Sequence, residues 1–365
     1  MKRSMDMLNG SLWDKILSFS LLVAATAILE QFFIATDIVI VGNFANGDKT
    51  AVMAGIGTDL SILGMTIFLL LGLALGSNVV IAQSIGRRDK EAVEKAVHTA
   101  VFFSLLAGVC VAILGQFIAE PILGLLDIPS EVMPNAISYL KIYLFGMPII
   151  LLYNFQAAIF RSVGETQMPL YALLLASIFN IVLDLLFVCV FKLGVTGVAI
   201  ATVLANAVSA LVLLRRLLRR EDWIRLDLKK LRIDRATFAE IIRIGLPAGI
   251  QNAVFSLANV VIQGAINSLG TMVIAASSAA LILELVAYSI FSSFGQACTT
   301  FVGQNYGARQ LARCRKILKL CILEDVVLTV LCIIIAYASV VIKSTMVNAL
   351  LQILLNCTQN ISFTF

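Results

Sequence analysis

Four polar residues lie within otherwise apolar stretches, and their side chains could bind a cation or a proton. Asp37 lies in the first long apolar run, Asn180 and Asp184 share a later one, and Thr202 lies in the run after that. A charged residue inside a membrane span costs roughly 2.5–3.5 kcal/mol, so such acids are usually functional. Carboxylate, amide and hydroxyl oxygens suit a hard cation, and paired carboxylates can hold a proton. The alternative is that Asp37 lies at the water interface or only hydrogen-bonds a neighbouring helix.

The depth of these residues along their predicted helices places them at one level. At a rise of ~1.5 Å per residue, Asp37, Asp184 and Thr202 each lie about 10–12 Å from the same end of their spans. Asn180 is one turn from Asp184 on the same helix face, and Asn206 is related to Thr202 in the same way. If the three helices are neighbours, the sequence predicts a cation- or proton-coupling site, with Na⁺ as the candidate metal ion, at Asp37, Asn180, Asp184 and Thr202.

Other polar residues in apolar runs could line a wet cavity, or could instead pair with a Ser or Asn on a neighbouring helix. These candidates for cavity lining are Glu30, Asp59, Asn154, Asn206 and Glu284. Glu30 shares a helix face with Asp37, seven residues away. The one histidine, His98, is expected to be structural, with a proton relay as the alternative. Gly72 and Gly76 predict a seam where helices pack closely.

The composition places these residues in a polytopic membrane protein. Of the 365 residues, 60% are hydrophobic and only 13% are charged, against about 25% charged residues in soluble domains. A span needs about 20 apolar residues. We predict an all-α membrane protein with nine spans, at about residues 16–45, 51–80, 94–118, 135–158, 168–191, 194–215, 241–269, 272–301 and 317–342.

The distribution of basic residues predicts the orientation. With the N-terminus in the cytoplasm, 27 lysines and arginines divide so that all but Lys49, Lys141, Lys192 and Lys343 lie inside, as expected for a plasma-membrane protein and, in bacteria, for the inner membrane. The basic segment 215–243 is explained by the same bias, so we expect no nucleic-acid partner.

The residues needed for several other functions are missing from the sequence. The seven cysteines form no CxxC pair and have no histidine beside them, which argues against a zinc site or a disulfide framework. No nucleophile–base set and no phosphate-binding loop occur, so we expect neither an enzyme nor an ATP-driven pump. We expect no cofactor apart from Na⁺ or H⁺ as the coupling ion.

The second half of the chain repeats the first. Gln83-Ser84-Ile85-Gly86 and Gln304-Asn305-Tyr306-Gly307 share Gln and Gly at a separation of 221 residues, each at the inner end of a span. A repeat of six spans returns the chain to the same side, so the two repeats are parallel, as in some secondary transporters. We therefore predict a six-helix lobe at 1–220, a cytoplasmic linker at 221–240 and an incomplete second lobe at 241–365.

Several motifs together resemble the multidrug and toxic compound extrusion (MATE) family, within the group that includes lipid-linked saccharide flippases. They are Asp37-Ile38-Val39-Ile40-Val41-Gly42, Gln83-Ser84-Ile85-Gly86, Arg161-Ser162-Val163-Gly164-Glu165-Thr166, Asn180-Ile181-Val182-Leu183-Asp184 and Gly303-Gln304-Asn305-Tyr306-Gly307-Ala308. They lie within about residues 12–340. The family's usual proline is missing at Leu21-Leu22, whereas Leu246-Pro247 keeps it in the second repeat.

The resemblance implies twelve helices in two lobes around a cavity that opens alternately to either side. It implies export of organic, often cationic, compounds in exchange for Na⁺ or H⁺, and Asp37, Asn180, Asp184 and Thr202 match the family's first-lobe ion site. Small organic substrates and the lipid bilayer are the expected partners, and the chain is expected to be a monomer. Three of the twelve helices are missing from the prediction, so we expect a chain truncated at its C-terminus. A saccharide flippase or an inactive fragment remains the alternative.

Overall fold

The computed structural model describes residues 5–44, 49–124, 130–267, 271–334 and 337. In these ranges the chain is helical and contains no strand. The helices are α1 (Trp13–Phe44), α2 (Lys49–Gly86), α3 (Lys90–Gly124), α4 (Met133–Phe145), α5 (Met147–Ser162), α6 (Gln167–Leu185), α7 (Gly194–Leu218), α8 (Arg235–Asn267), α9 (Thr271–Gly307) and α10 (311–334). A π-helical turn, Leu186–Val190, extends α6, and a 3₁₀ turn, Leu228–Lys230, lies before α8.

Each of the nine predicted spans falls on a helix, with α4 and α5 together occupying the fourth. Among the described residues, six helices are long and apolar enough to cross a membrane, or seven if the bent α4–α5 pair counts as one span. These helices confirm the predicted fold class, an all-α polytopic membrane protein. The described part ends within the ninth predicted span, and the predicted tail beyond it lies outside the described residues.

The fourth span differs from its prediction because it is broken. The α4 and α5 axes meet at 51°, with Gly146 between them and Pro148 in the first turn of α5. Proline has no backbone N–H to donate and its ring collides with the preceding turn, so it kinks or breaks a helix, and at Pro148 the span is broken. At the break, Gly108 of α3 lies so close to Pro148 that a Cβ atom there would overlap the proline backbone.

The ends of α2 and α9 have the same local structure, which supports the internal repeat. Arg88 and Arg309, 221 residues apart, both have positive φ, at 57° and 59°. Their backbone N–H groups donate to equivalent carbonyls, those of Ile85 at 3.0 Å and Tyr306 at 2.9 Å. The two helix ends also cross closely, because a Cβ atom on Gly86 would overlap the Gln304 carbonyl oxygen.

A second close crossing joins α2 to α8. A Cβ atom on Gly76 would lie 2.5 Å from the Ile241 carbonyl oxygen and 2.8 Å from the backbone of Gly245. One turn away, a Cβ atom on Gly72 would overlap the backbone of Gly249. Small residues allow membrane helices to approach to backbone contact, where dispersion forces hold them together. The predicted glycine seam is therefore present, and α8 is its second wall.

The apolar side chains form two clusters. The larger lies among α1 to α7 and the start of α8. The smaller joins the first half of α1 to α9 and α10, with Phe19 and Phe301 in edge-on contact at 5.6 Å. Helix α1 thus packs on both groups of helices, and its second half lies against α6 and α7.

The predicted linker at 221–240 contacts α3 through His98. The buried imidazole contacts the Glu94 carbonyl through Nδ1 at 2.7 Å and accepts the Asp227 backbone N–H at Nε2 at 3.0 Å. Because Nε2 is an acceptor, the bonding pattern requires the neutral tautomer with its proton on Nδ1. Lys230 forms an ion pair with Glu94 nearby. These contacts support the structural interpretation of His98.

The glycine seam gives a stability prediction. Gly76→Ala forces a methyl group into backbone atoms that cannot move independently, and overpacking of this kind costs about 1–3 kcal/mol. We expect a lower midpoint of thermal unfolding in detergent. Gly295→Ala is the control, because its Cβ atom would have nothing within 4 Å. Equal midpoints for the two variants would show that the α2–α8 contact is not close in the folded protein.

Candidate functional site

Three helices bring the predicted ion-coupling residues together. Asp37 lies seven residues before the end of α1, Asn180 and Asp184 lie on the last turns of α6, and Thr202 lies two turns into α7. All four side chains are buried, with Asp37 2% and Asp184 0% exposed. Helices α1, α6 and α7 are neighbours, as the prediction of a shared site required.

The contacts within this group, the acidic site, centre on Asp37. The Thr202 hydroxyl donates to Asp37 Oδ2 at 2.8 Å. The carboxyl of Asp184 and the amide of Asn180 lie beside the carboxyl of Asp37. In the described structure, both carboxyl oxygens of Asp184, the second oxygen of Asp37 and the amide atoms of Asn180 are buried without a hydrogen-bond partner.

Unpaired buried oxygens are the property that an ion-binding site requires. A buried carboxylate with neither a donor nor a cation is costly, and two adjacent carboxylates cannot both stay charged at low cost. No group of three or more His, Cys, Asp or Glu side chains in the described ranges could hold a metal ion. A cation here would therefore need Asn180 Oδ1 and Thr202 Oγ1 besides the two carboxylates, a set of hard oxygen ligands that fits Na⁺. A proton shared between the carboxyls fits equally well.

The candidates for cavity lining have different surroundings. Glu30, two turns from Asp37 on α1, is within electrostatic reach of Arg161. Asn154 and Asn206 each donate to a carbonyl of their own helix, those of Ile150 and Thr202, at 2.9 Å. The side chains of Asp59 and Glu284 lie outside the described residues.

Sequence reasoning missed several features around the site. Tyr143 of α4 is within electrostatic reach of both Asp37 and Glu30. The π-helical turn begins two residues after Asp184, and such turns are frequent at functional sites. The tyrosine could have been noticed in the sequence as a polar side chain within the fourth span. No simple sequence pattern marks a π-helical turn.

Two of the motifs, at residues 161–166 and 303–308, lie at the opposite end of the bundle. Gln304 Nε2 donates to the Ser162 carbonyl at 2.6 Å, and Asn305 Nδ2 donates to the carbonyl of Met7 at 3.1 Å. Arg161 donates to the side chain of Gln296 at 2.7 Å. These bonds join α5 and the N-terminal segment to α9. Their role in the described structure is to connect helices.

Comparison with known proteins identifies the family. The MatE family model matches residues 23–186 and 247–353, which include Asp37, Asn180 and Asp184. This chain belongs to the MatE family. It is similar to the probable multidrug resistance protein YoeA of Bacillus subtilis, at 26% identity over 85% of this chain and 68% of that protein. It also resembles a FAD transporter of Shewanella oneidensis, at 26% identity over 68% of this chain and 56% of that protein.

Solved MATE structures share the fold. A MATE transporter crystallised in a bent conformation superposes with a TM-score of 0.79, at 24% identity, over 88% of this chain and 72% of that one. A MOP-superfamily transporter from Pyrococcus furiosus gives the same TM-score over 88% of this chain and 71% of its own. The arrangement of helices around the acidic site is therefore an arrangement known in solved MATE proteins.

The hydrogen bond from Thr202 gives the second prediction. Thr202→Val keeps the shape but leaves Asp37 Oδ2 without its donor, which should lower stability by about 1 kcal/mol. Thr26→Val is a matched control on α1, because that equally buried hydroxyl bonds only the Leu22 carbonyl of its own helix. Thermal unfolding in detergent measures both. A loss in Thr26→Val as large as that in Thr202→Val would contradict a specific role for the Thr202–Asp37 bond.

Proposed function

We propose that the chain is part of a secondary antiporter that exports small organic, often cationic, compounds in exchange for Na⁺ or H⁺. The observation that carries the proposal is the acidic site: two adjacent buried carboxyls, one on α1 and one on α6, with oxygens that have no hydrogen-bond partner in the described structure. The name of YoeA as a probable multidrug resistance protein supports the cargo class. The MatE relatives are named as transporters, which supports a function other than catalysis.

The coupling follows from the competition of proton and cation for the same oxygens. Binding of either cancels one of the two negative charges of the pair and changes how Asp37 engages α6 and α7, which would favour one arrangement of these helices over the other. Inward movement of a positive charge is also assisted by the membrane potential, at about 2.3 kcal/mol per charge per 100 mV. The ion gradient can thus drive the opposite movement of cargo through the same helices.

The alternative functions differ in the charge of the cargo and in whether the chain transports at all. A transporter of a lipid-linked saccharide, or of a phosphate-bearing cargo such as that of the relative named as a FAD transporter, would need cationic side chains in its transport cavity between the lobes. Mid-span Lys and Arg are nearly absent from the sequence, which favours the cationic-drug proposal. An inactive fragment is the third alternative, since the chain spans 68% or less of the relatives cited above.

We further propose the lobes 1–220 and 241–365, the linker 221–240 between them, and a cytoplasmic N-terminus. The basic residues support this orientation. We expect Lys192→Cys to react with a membrane-impermeant maleimide from outside, and Arg225→Cys to react only after permeabilisation, in a variant whose native cysteines are replaced. Labelling of both positions from the same side would contradict the orientation.

Transport itself tests the acidic site. Asp37→Asn keeps the side-chain shape but cannot titrate, so we expect it to abolish efflux of a cationic dye from vesicles under an imposed Na⁺ or H⁺ gradient. Asp184→Asn should do nearly the same, and Glu284→Gln should have a smaller effect. Glu120→Gln, an exposed acid paired with Lys141, is the control and should transport normally.

The same assay separates the alternatives. It is run on this chain and on a version extended by three helices of a longer relative. Unchanged efflux in Asp37→Asn would leave Asp37 as a packing residue. Absence of gradient-driven efflux from both versions, with both correctly folded, would reject the antiporter proposal.

A further inference from the structure

A cavity of about 940 Å³ lies where the N-terminal segment meets the ends of α2 and α9. The residues that line it include three arginines, Arg87, Arg88 and Arg309, together with Asn9 and Tyr306. Among the described residues that line it, none is acidic. We call it the arginine cavity. It is far from the acidic site, because Asp37 lies 24 residues, or ~36 Å, along α1 from the end near this cavity.

Two of the arginines that line the cavity have an unfavourable backbone conformation. Arg88 and Arg309 are two of the three non-glycine residues with positive φ in the described chain. This conformation costs a residue with a Cβ atom roughly 1–2 kcal/mol, and glycine avoids the cost. The presence of arginine at both repeat-equivalent turns therefore indicates that its side chain has a role there.

The walls of the cavity are fixed by specific contacts. Gly86 and Gly307 pack against the carbonyls of Gln304 and Gln83, so the ends of α2 and α9 cannot separate without losing this contact. The N-terminal segment is held on one side by the bond from Asn305 to the Met7 carbonyl and by the bond from Arg313 to the Gly10 carbonyl at 3.0 Å. Three exposed arginines from the two repeats therefore line one open cavity.

The charge of the cavity is not balanced by its own side chains. In the described structure, none of the three arginines forms an ion pair, and the one side-chain bond found for Arg87 goes to the Ser84 hydroxyl at 3.4 Å. A second cavity, of about 400 Å³ beside His98, gives the comparison. Three acids line it beside four basic residues, and two of the basic residues form ion pairs, Lys95 with Glu91 and Lys230 with Glu94, both at 2.7 Å.

The contrast between the two cavities excludes a simple explanation. A general excess of basic residues on one side of the membrane would give both cavities the same mixture of basic and acidic residues. Of the two, only the arginine cavity has no acid among its described lining residues. Guanidinium groups bind phosphate oxygens through paired, charge-assisted hydrogen bonds. Three such groups around a space of this size suit a phosphate-bearing ligand.

We propose that the arginine cavity binds the phosphate group of an anionic membrane lipid, and that this ligand bridges the two repeats at the end of the bundle where α2 and α9 cross. The position favours a lipid over a free ion, because the cavity opens at the ends of membrane-spanning helices and Leu8 and Leu311 lie beside the arginines. Basic pockets between membrane helices are known to take anionic headgroups. Bound lipid should stabilise the crossing of α2 and α9.

Thermal unfolding of the full chain in neutral detergent tests this proposal. The probes are short-chain phosphatidylglycerol, phosphatidylcholine with the same tails, and inorganic phosphate. We expect phosphatidylglycerol to raise the unfolding midpoint in a saturable way and phosphatidylcholine to have no such effect. Each of Arg88→Asn and Arg309→Asn should weaken the apparent affinity for phosphatidylglycerol about fivefold. Asparagine is chosen because it tolerates positive φ.

Control variants make each outcome decisive. Arg232→Asn removes one positive charge from the second cavity and should leave the affinity unchanged. Arg88→Lys keeps the charge but not the paired N–H donors of the guanidinium group, so its affinity for phosphatidylglycerol should lie between those of wild type and Arg88→Asn. Arg88→Lys also replaces Arg88→Asn in the test if Arg88→Asn does not fold. Equal stabilisation by the two lipids, or equal losses in Arg88→Asn and Arg232→Asn, would overturn the proposal. Saturable stabilisation by inorganic phosphate with no further gain from phosphatidylglycerol would overturn the assignment to a lipid.

Discussion

The two buried carboxyls of Asp37 and Asp184 impose the constraint on which the account of this protein depends. Side by side in an apolar bundle, they cannot both remain charged without a proton or cation. The fold brings them together across α1 and α6 and supplies one donor, the Thr202 hydroxyl at 2.8 Å. The remaining oxygens have no partner within the described structure, and this supports the proposal that the group takes up and releases a proton or a cation.

Close contacts between helices connect the acidic site to the rest of the bundle. Helix α1 holds Asp37 near one end, while its first half packs on α9 and α10. The glycine contacts of α2, with α8 at Gly76 and with α9 at Gly86, allow no side chain between the backbones. Because closely packed interfaces have discrete arrangements rather than continuous ones, the proposed ion exchange at Asp37 would be expected to shift whole helices.

The sequence predicted most of the helices and the membership of the acidic site, because both depend on distance along the chain. Apolar length located the spans, and the constant rise per residue placed Asp37, Asp184 and Thr202 at one depth. Several features that depend on neighbouring helices were not predicted, although the glycine seam at Gly72 and Gly76 was. The span at 135–158 was expected to be continuous, but Pro148 breaks it. The convergence of arginines from two repeats likewise requires the three-dimensional crossing of α2 and α9.

Infrared difference spectroscopy of the carboxyl C=O stretch tests the central claim most directly. The purified chain is compared before and after addition of Na⁺, and across a pH titration, with Asp37→Asn measured alongside. The account predicts a band from a protonated carboxyl that disappears with Na⁺ or with rising pH and that is altered in Asp37→Asn. A spectrum unchanged by both treatments, or a full-sized change in Asp37→Asn, would contradict ion exchange at this site.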